Sequence, residues 1–394
     1  MVTSVSDTIK YVGVDDHDID LFESQYDVPE GMSYNSYVIL DEKTALMDIF
    51  DATKTVEWIA NVKEALGDRK LDYIVIQHME PDHSGSFGTV VETFPETQVV
   101  ATTKAFQLMG QFFDGLDLGE RAIEVKEGDT ISLGTHTLQF IMAPMIHWPE
   151  VMMTYEQSEN ILFSADAFGK FGALDFDDPE GWACEARRYY FGIVGKYGSM
   201  VQTLLKKAAG LDIQKILPLH GPVLPMPGDE IGYYIDTYNT WSSYEPETHG
   251  VFVAYASIHG NTAKAAKKLA EMLEARGEKV AISDICREDM AECVEDAFRY
   301  DRMVICAASY DAGVFLPMHD FLNHLTVKTY QNRKLFILEN GSWAPSAART
   351  VKGIAEGWKN VEVLEPVVTI KSTMKDSDIP NIEALAEAVV AAGK

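Results

Sequence analysis

Cysteine is scarce in this chain of 394 residues: only Cys184, Cys286, Cys293 and Cys306 occur, and no two of them form a Cys-x-x-Cys pair. That argues against a zinc ribbon or a rubredoxin-type iron site within the chain. A disulfide framework is equally disfavoured at this size, and Cys306, inside an apolar run, reads as a buried thiol. Long apolar runs are also missing, since none approaches the ~18 to 20 residues of a membrane span. The first residues, Met-Val-Thr-Ser-Val-Ser-Asp, lack the basic start and apolar core of a secretory signal, so the expected address is the cytoplasm. Positive charge is in short supply: 33 Lys and Arg stand against 61 Asp and Glu, a formal charge of −28. This excludes a general attraction to nucleic acid or an anionic membrane, and would repel an acidic protein lacking a local basic dock.

What is present centres on residues 71 to 88, Leu-Asp-Tyr-Ile-Val-Ile-Gln-His-Met-Glu-Pro-Asp-His-Ser-Gly-Ser-Phe-Gly. Leu71 to Ile76 has the length and branching of a buried strand. Four possible metal ligands follow within six residues: His78, Glu80, Asp82 and His83. Pro81 is expected to keep a helix from running through them. On an extended backbone His78, Glu80 and Asp82 point to one side, and His83 turns to a second point. Ligands divided in this way suggest a pair of ions.

Around this stretch the first part of the chain mixes strands and helices without a regular alternation. Residues 36 to 50 read as two strands about a turn at Asp41-Glu42-Lys43, and Lys54 to Leu66 as a helix closed by Gly67. Ser84 can cap a helix from Gly85 to Phe94. Strand-like runs recur at 98–101, 122–125, 130–133, 137–143, 151–155 and 161–164. A sheet-on-sheet core with outer helices fits this texture. Three more ligand candidates sit where strand-like runs end: His147 in Pro-Met-Ile-His-Trp-Pro-Glu, Asp166 in Phe-Ser-Ala-Asp-Ala-Phe-Gly, and His220 in Ile-Leu-Pro-Leu-His-Gly-Pro. Each is weak alone and specific only with the 78–83 cluster.

The segment 241–250 is a polar break with Pro and Gly, and the expected domains are 1–248 and 249–394. From Val251 onward strands and helices alternate: strands at 251–256, 279–283, 302–308, 334–338 and 361–368, a helix at 261–276 and a last one near 382–392. This is the pattern of a doubly wound parallel sheet with its ligand at the carboxyl strand ends. The loop after the first strand, Ser257-Ile258-His259-Gly260-Asn261-Thr262, leads straight into a helix, so N–H groups and hydroxyls favour a phosphate. It has neither the Gly-Lys-Ser/Thr of an NTPase loop nor Gly-x-Gly-x-x-Gly.

The seven ligand positions resemble the metallo-β-lactamase fold, with one departure: Glu80 replaces that family's second histidine. His-x-Glu-x-Asp-His is the pattern of the flavodiiron proteins, and an oxygen-rich, anionic set suits a pair of irons better than zinc. The loop at 257–262 is similar to the flavodoxin loop Ser/Thr-x-x-Gly-Asn-Thr, which holds the phosphate of FMN. The resemblance therefore implies an α/β and α+β chain, a metallo-β-lactamase-like αββα sandwich followed by a flavodoxin-like domain. It implies that His78, Glu80 and His147 hold one iron, that Asp82, His83 and His220 hold the other, and that Asp166 bridges them. It implies FMN clamped by Ser309-Tyr310-Asp311-Ala312-Gly313 and Asn340-Gly341-Ser342-Trp343-Ala344, with Tyr310 and Trp343 as stacking aromatics.

The resemblance carries further expectations. Tyr197 matches a tyrosine near the metals. The stretch 21–31 lacks the histidine that some relatives carry there. Nothing rubredoxin-like follows Lys394, which would make this the two-domain form. A flavin joined to a di-iron site points to reduction of O2 to water, of NO to N2O, or both, with rubredoxin or reduced F420 as donor. Head-to-tail homodimers, or dimers of dimers, would set Trp148 near the partner's flavin. A zinc hydrolase fused to an electron-transfer flavodoxin is the competing reading, and Glu80 argues against it. An electron-transfer module with a dead metal site, or a gas sensor, are the others.

Overall fold

The computed structural model describes residues 2–176 and 181–394, and the chain divides into two compact units, Met1–Asn239 and Thr240–Lys394. The break was expected near 248. Residues after Asn239 instead belong to the second unit, where Trp241 Nε1 donates to Glu247 at 2.7 Å and Arg333 donates to the Tyr244 carbonyl at 2.6 Å.

In the first unit two sheets pack face to face. One is seven-stranded, in the order Thr3–Ser4, Ile9–Tyr11, Tyr37–Leu40, Thr44–Met47, Tyr73–Val75, Gln98–Ala101 and Ala122–Glu124. The other is five-stranded, in the order Thr130–Ser132, Thr137–Met142, Met152–Glu156, Ile161–Phe163 and Lys215–Leu217. Alternate residues of both turn inward: Tyr37, Ile39, Met47 and Val75 from the first meet Leu138, Phe140, Ile161 and Phe163 from the second. Helix Thr55–Leu66 covers the outside of the first sheet, with Trp58 stacked on Phe50.

His136, at the start of strand Thr137–Met142, pins the two sheets together. Its Nδ1 lies 2.9 Å from the buried Glu156 carboxylate, its Nε2 lies 2.9 Å from the Thr8 hydroxyl, and its backbone N–H donates to Asp41 at 2.6 Å. The Glu156 contact, which outweighs burial, holds the His136 imidazolium above its ordinary pKa.

The second unit is a parallel sheet in the order Val280–Asp284, Thr248–Ala256, Tyr300–Tyr310, Arg333–Asn340 and Val361–Val363. Val251 to Ala256 is apolar on both faces because helices cover both. Helices Asn261–Glu274 and Ile379–Ala392 pack one face through Leu269, Leu273, Leu385 and Val389. Helix Leu316–Val327 reaches the other, where Phe321 meets Phe252. The run expected as one strand over 361–368 is two short strands, Val361–Val363 and Val368–Ile370. They pair with successive parts of Arg333–Asn340, and Pro366 lies in the gap because it cannot donate to a ladder.

Candidate metal centre and phosphate-loop pocket

The strand Tyr73–Val75 ends just before the acidic cluster, and its last turn is fixed by a buried carboxylate. Asp48 accepts from the Gln77 backbone N–H and from its side-chain amide, each at 2.7 Å. Burial pushes the Asp48 carboxyl up to about 6. The chain stays extended through Glu80 and then enters a helical turn, Pro81–Ser84. Pro81 was expected to exclude helix here. It occupies the first helical position, where its missing N–H costs nothing and its fixed φ suits the turn. The turn swings Asp82 away from His78 and Glu80 and places it beside His83. The helix expected from Gly85 begins at Phe87 and runs to Thr93.

Seven side chains meet in two groups, His78, Glu80, His147 and Asp166 in one, and Asp82, His83 and His220 in the other. In the first, Asp166 Oδ2 lies 3.2 Å from Nε2 of both His78 and His147, and Glu80 Oε2 lies 3.2 and 2.9 Å from the same atoms. In the second, Asp82 Oδ2 lies 3.2 Å from Nε2 of both His83 and His220. Asp166 Oδ1 lies 3.2 Å from His83 Nε2, so its two oxygens face different groups.

These atoms fit metal ions better than they fit one another. Ligands about 2.1 Å from one ion and at right angles stand roughly 3.0 Å apart. His220 Nδ1 donates to the Ser33 carbonyl at 2.7 Å, which leaves a lone pair on its Nε2. That lone pair faces His83 Nε2 at 3.0 Å. Both carboxylate oxygens of Asp82 and of Asp166, and Nε2 of His147, are buried with no hydrogen-bond partner among the described residues. Electrostatics agrees. Burial alone would lower His147, yet Asp166 and Glu80 push it up to about 9, and His78 also rises against its burial, chiefly through Asp166. Cations are wanted here, and protons fill the role only in part.

Residues that sequence reasoning passed over complete the site. Glu150 is buried and accepts from the His78 Nδ1 at 2.8 Å and from the Met79 N–H at 2.9 Å. Its signal was the Glu that closes His147-Trp148-Pro149-Glu150. Trp148 packs edge-on to His78, ring centroids 5.5 Å apart, and stacks on Phe112. The hairpin Leu21–Phe22 with Tyr26–Asp27 closes over the other side. Phe22 meets the His220 ring at 5.3 Å, and the Tyr26 hydroxyl donates to the Gly192 carbonyl at 2.7 Å. In this hairpin, where histidine is missing, Glu23 keeps surface exposure but stands against Glu80, and partial desolvation with that neighbouring charge raises it to about 7.

Among the described residues Tyr197 makes no hydrogen bond or ring contact with the cluster. It is half-buried at the start of helix Gly198–Ala208, with Lys196 Nζ 6.0 Å from its ring. The buried phenol facing the ligands is Tyr189, raised well above its ordinary pKa by burial and by Asp166, Asp82 and Glu80. A π-helical segment, Tyr190–Val194, follows it, and such a change of pitch resets which side chains face inward.

In the second unit a cavity of about 500 Å³ opens at the carboxyl ends of the strands. Ser257, Ile258, His259, Asn261 and Thr262 line it, with Ser309, Tyr310, Asp311 and Ala312 and the run Asn340 to Ala344. Gly260, at φ 82°, turns the loop into helix Asn261–Glu274, whose first N–H groups have no side-chain cap. Ser257 Oγ is buried without a hydrogen-bond partner among the described residues, as a hydroxyl waiting for a phosphate oxygen would be. Gly341 cannot carry a Cβ, which would lie 2.8 Å from Pro345 Cα. Trp343 is 93% exposed and Tyr310 42%, so both rings are free to cover a flat ligand. Gly313 stands outside the lining, pairing with Tyr310, while Ser309 also caps the next helix by accepting from Ser346 N–H at 2.8 Å. Ser346 and Ser372 line the cavity unforeseen, and Ser372 is drawn in by Asn340, whose Nδ2 donates to its carbonyl at 2.8 Å.

Among the described residues no helix is long and apolar enough to cross a membrane. A family model described as ODP family beta lactamase matches residues 32–221. A nitric oxide reductase of Moorella thermoacetica is 27% identical over 98% of both chains. The rubredoxin oxygen:oxidoreductase of Desulfovibrio gigas superposes with a TM-score of 0.91 at 23% identity, over 100% of this chain and 98% of that one. The flavodiiron protein of Giardia intestinalis does so at 0.91 and 22%, over the same shares. At these identities the two structures establish the fold. The fold is that of the flavodiiron proteins, and the motif order, the two sites and the full-length relative, itself an oxidoreductase, are all similar to that family.

Proposed function

We propose that this chain is a gas reductase, reducing O2 to water, NO to N2O, or both, at an iron pair supplied with electrons by FMN. In this reading His78, Glu80 and His147 hold one iron, Asp82, His83 and His220 the other, and Asp166 lies between. FMN occupies the second unit's cavity, its phosphate at Ser257 to Thr262. The observation that carries the reading is Asp166, whose two oxygens face two separate histidine groups at 3.2 Å. The names of the relatives, one a nitric oxide reductase and one a rubredoxin oxygen:oxidoreductase, support both gases. The donor is rubredoxin or reduced F420. The working form is a cytoplasmic head-to-tail homodimer, or a dimer of dimers, in which Trp148 lies beside the partner's flavin.

When bound, the metals would supply electrons and Lewis acidity, and the flavin would replenish the electrons. The protein's own part is positioning. Glu150 fixes the His78 ring so that Nε2 points inward, and Ser33 does the same for His220. Trp148 and Phe22 shield the ligand histidines from water on two sides. Tyr189 presents a phenol that stays protonated in this field and can donate a hydrogen bond into the site.

Protein expressed with iron and purified without oxygen should contain about two irons and one FMN per chain. With its flavin kept reduced, it should then consume O2, NO or both. Retention of zinc that iron cannot replace, with no flavin bound, would sink this reading and promote the hydrolase.

A further inference from the structure

A second cavity in the first unit, about 350 Å³, plays no part in the centre described above. It lies between the outer face of the five-stranded sheet and the helices Gly198–Ala208 and Ile231–Ser242. Its walls are apolar: Met153, Leu162 and Ile216 from the sheet, Leu204 and Ile235 from the helices, and Phe168. Two polar residues reach its rim, and both are engaged. Gln214 Nε2 donates to Asp212 Oδ1 at 2.6 Å, and the Asp212 carbonyl accepts from the Tyr155 hydroxyl at 3.0 Å. Beyond those two rim residues the lining side chains are apolar and offer no anchor to a metabolite carrying charge or hydroxyl groups. A space of this size with apolar walls favours small apolar guests over water.

Its position relative to the metal ligands suggests which guest. Phe168, on the cavity wall, is two residues from Asp166, at the centre of the ligand cluster. The short loop between them is held in an unusual shape, with Ala165 at φ 51° and Phe168 at φ 67°. Phe168 is fixed from outside by Tyr238, which stacks on it at 4.1 Å and accepts from its N–H at 2.5 Å. One loop therefore sends a carboxylate to the metal groups and an aromatic ring to the apolar cavity.

We propose that this cavity is a reservoir for the apolar diatomic substrate, O2 or NO, which it concentrates from water next to the Asp166 loop. The proposal rests on the gas-reductase reading. Apolar gases leave water for such an environment for the same reason that apolar side chains do.

The test uses protein loaded with iron and FMN. Crystals pressurised with xenon should show the gas bound between Phe168 and Leu204. Ala208, also on the cavity wall, can be enlarged to fill the space. Ala208→Phe should abolish the xenon site and raise KM for the consumed gas roughly three- to ten-fold at unchanged kcat. Iron and FMN content should not change. Ala208→Leu should give a smaller effect in the same direction, and it decides the matter if the phenylalanine variant does not fold. No xenon in the cavity of the parent, or filled variants with unaltered KM, would overturn the reservoir alone. A parent that consumes neither gas would overturn the functional reading and the reservoir with it.

Discussion

Glu150 Oε1 lies 2.8 Å from Nδ1 of His78, and the same oxygen takes the Met79 N–H at 2.9 Å. The carboxylate thus fixes both the tautomer of a metal-facing histidine and the backbone beside it. Glu150→Gln removes the charge and keeps the size. It is expected to weaken iron retention, or turnover, by about ten- to hundred-fold. Iron remaining after dialysis against a chelator measures this directly, and FMN content should not follow it.

The two tyrosines make opposite predictions. Tyr189→Phe deletes a buried hydroxyl facing Asp166, Asp82 and Glu80, and should lower turnover about ten-fold, the worth of one hydrogen bond to a charged group. Tyr197→Phe should leave turnover unchanged, because that ring is half in solvent under Lys196. Steady-state rates of the two variants, at equal iron content, decide between them.

Ser257→Ala tests the second unit's cavity as the flavin site, independently of the metals. Among the described residues the buried hydroxyl has no hydrogen-bond partner, so removing it should leave the flavin-free protein as stable as before. FMN affinity should drop about ten-fold if the hydroxyl meets the phosphate. Fluorescence titration of FMN reads the affinity, and thermal melting of the flavin-free protein reads the stability.

His136 and Glu156 tie stability to pH. The histidine is raised in the folded state, chiefly by the Glu156 contact, so its contribution is complete below its unfolded pKa of ~6.5 and fades as pH rises through the folded value. Glu156 is pushed up by burial but held lower overall by His136 and two backbone N–H groups. Its contribution is therefore complete above ~4.3 and is lost as pH falls through the folded value. Between those limits the pin is at full strength. His136→Gln should cost about 3 kcal/mol there and flatten the decline on the alkaline side. Urea unfolding at several pH values would show it, and an unchanged slope in the variant would refute the assignment.

Much of the candidate metal centre was legible because its residues announce themselves chemically. His78, Glu80, Asp82 and His83 crowd one short stretch, and His147, Asp166 and His220 each close an apolar run. The phosphate loop was legible for the same reason, small and hydroxyl residues running into a helix. What stayed hidden depends on geometry that periodicity does not carry. Pro81 can end a helix or begin one, and only the turn it starts shows that Asp82 sides with His83. Tyr189 and Tyr197 are both tyrosines near one helix, and the π-helical segment between them decides which faces the ligands. Ser372 enters the second unit's cavity because the last strand is split, which the apolar run 361–368 concealed.

Asp166 serves both histidine groups with a single side chain. Under the two-iron reading, one empty position would leave half of a buried carboxylate facing histidines that protons alone could charge, a costly state. Each ion thus makes room for the other. Filling should be cooperative, and a ferrous titration should rise more steeply than two independent sites allow. When iron is scarce, the population would divide into fully equipped molecules and bare ones, with few half-built centres able to bind the gas without completing its reduction.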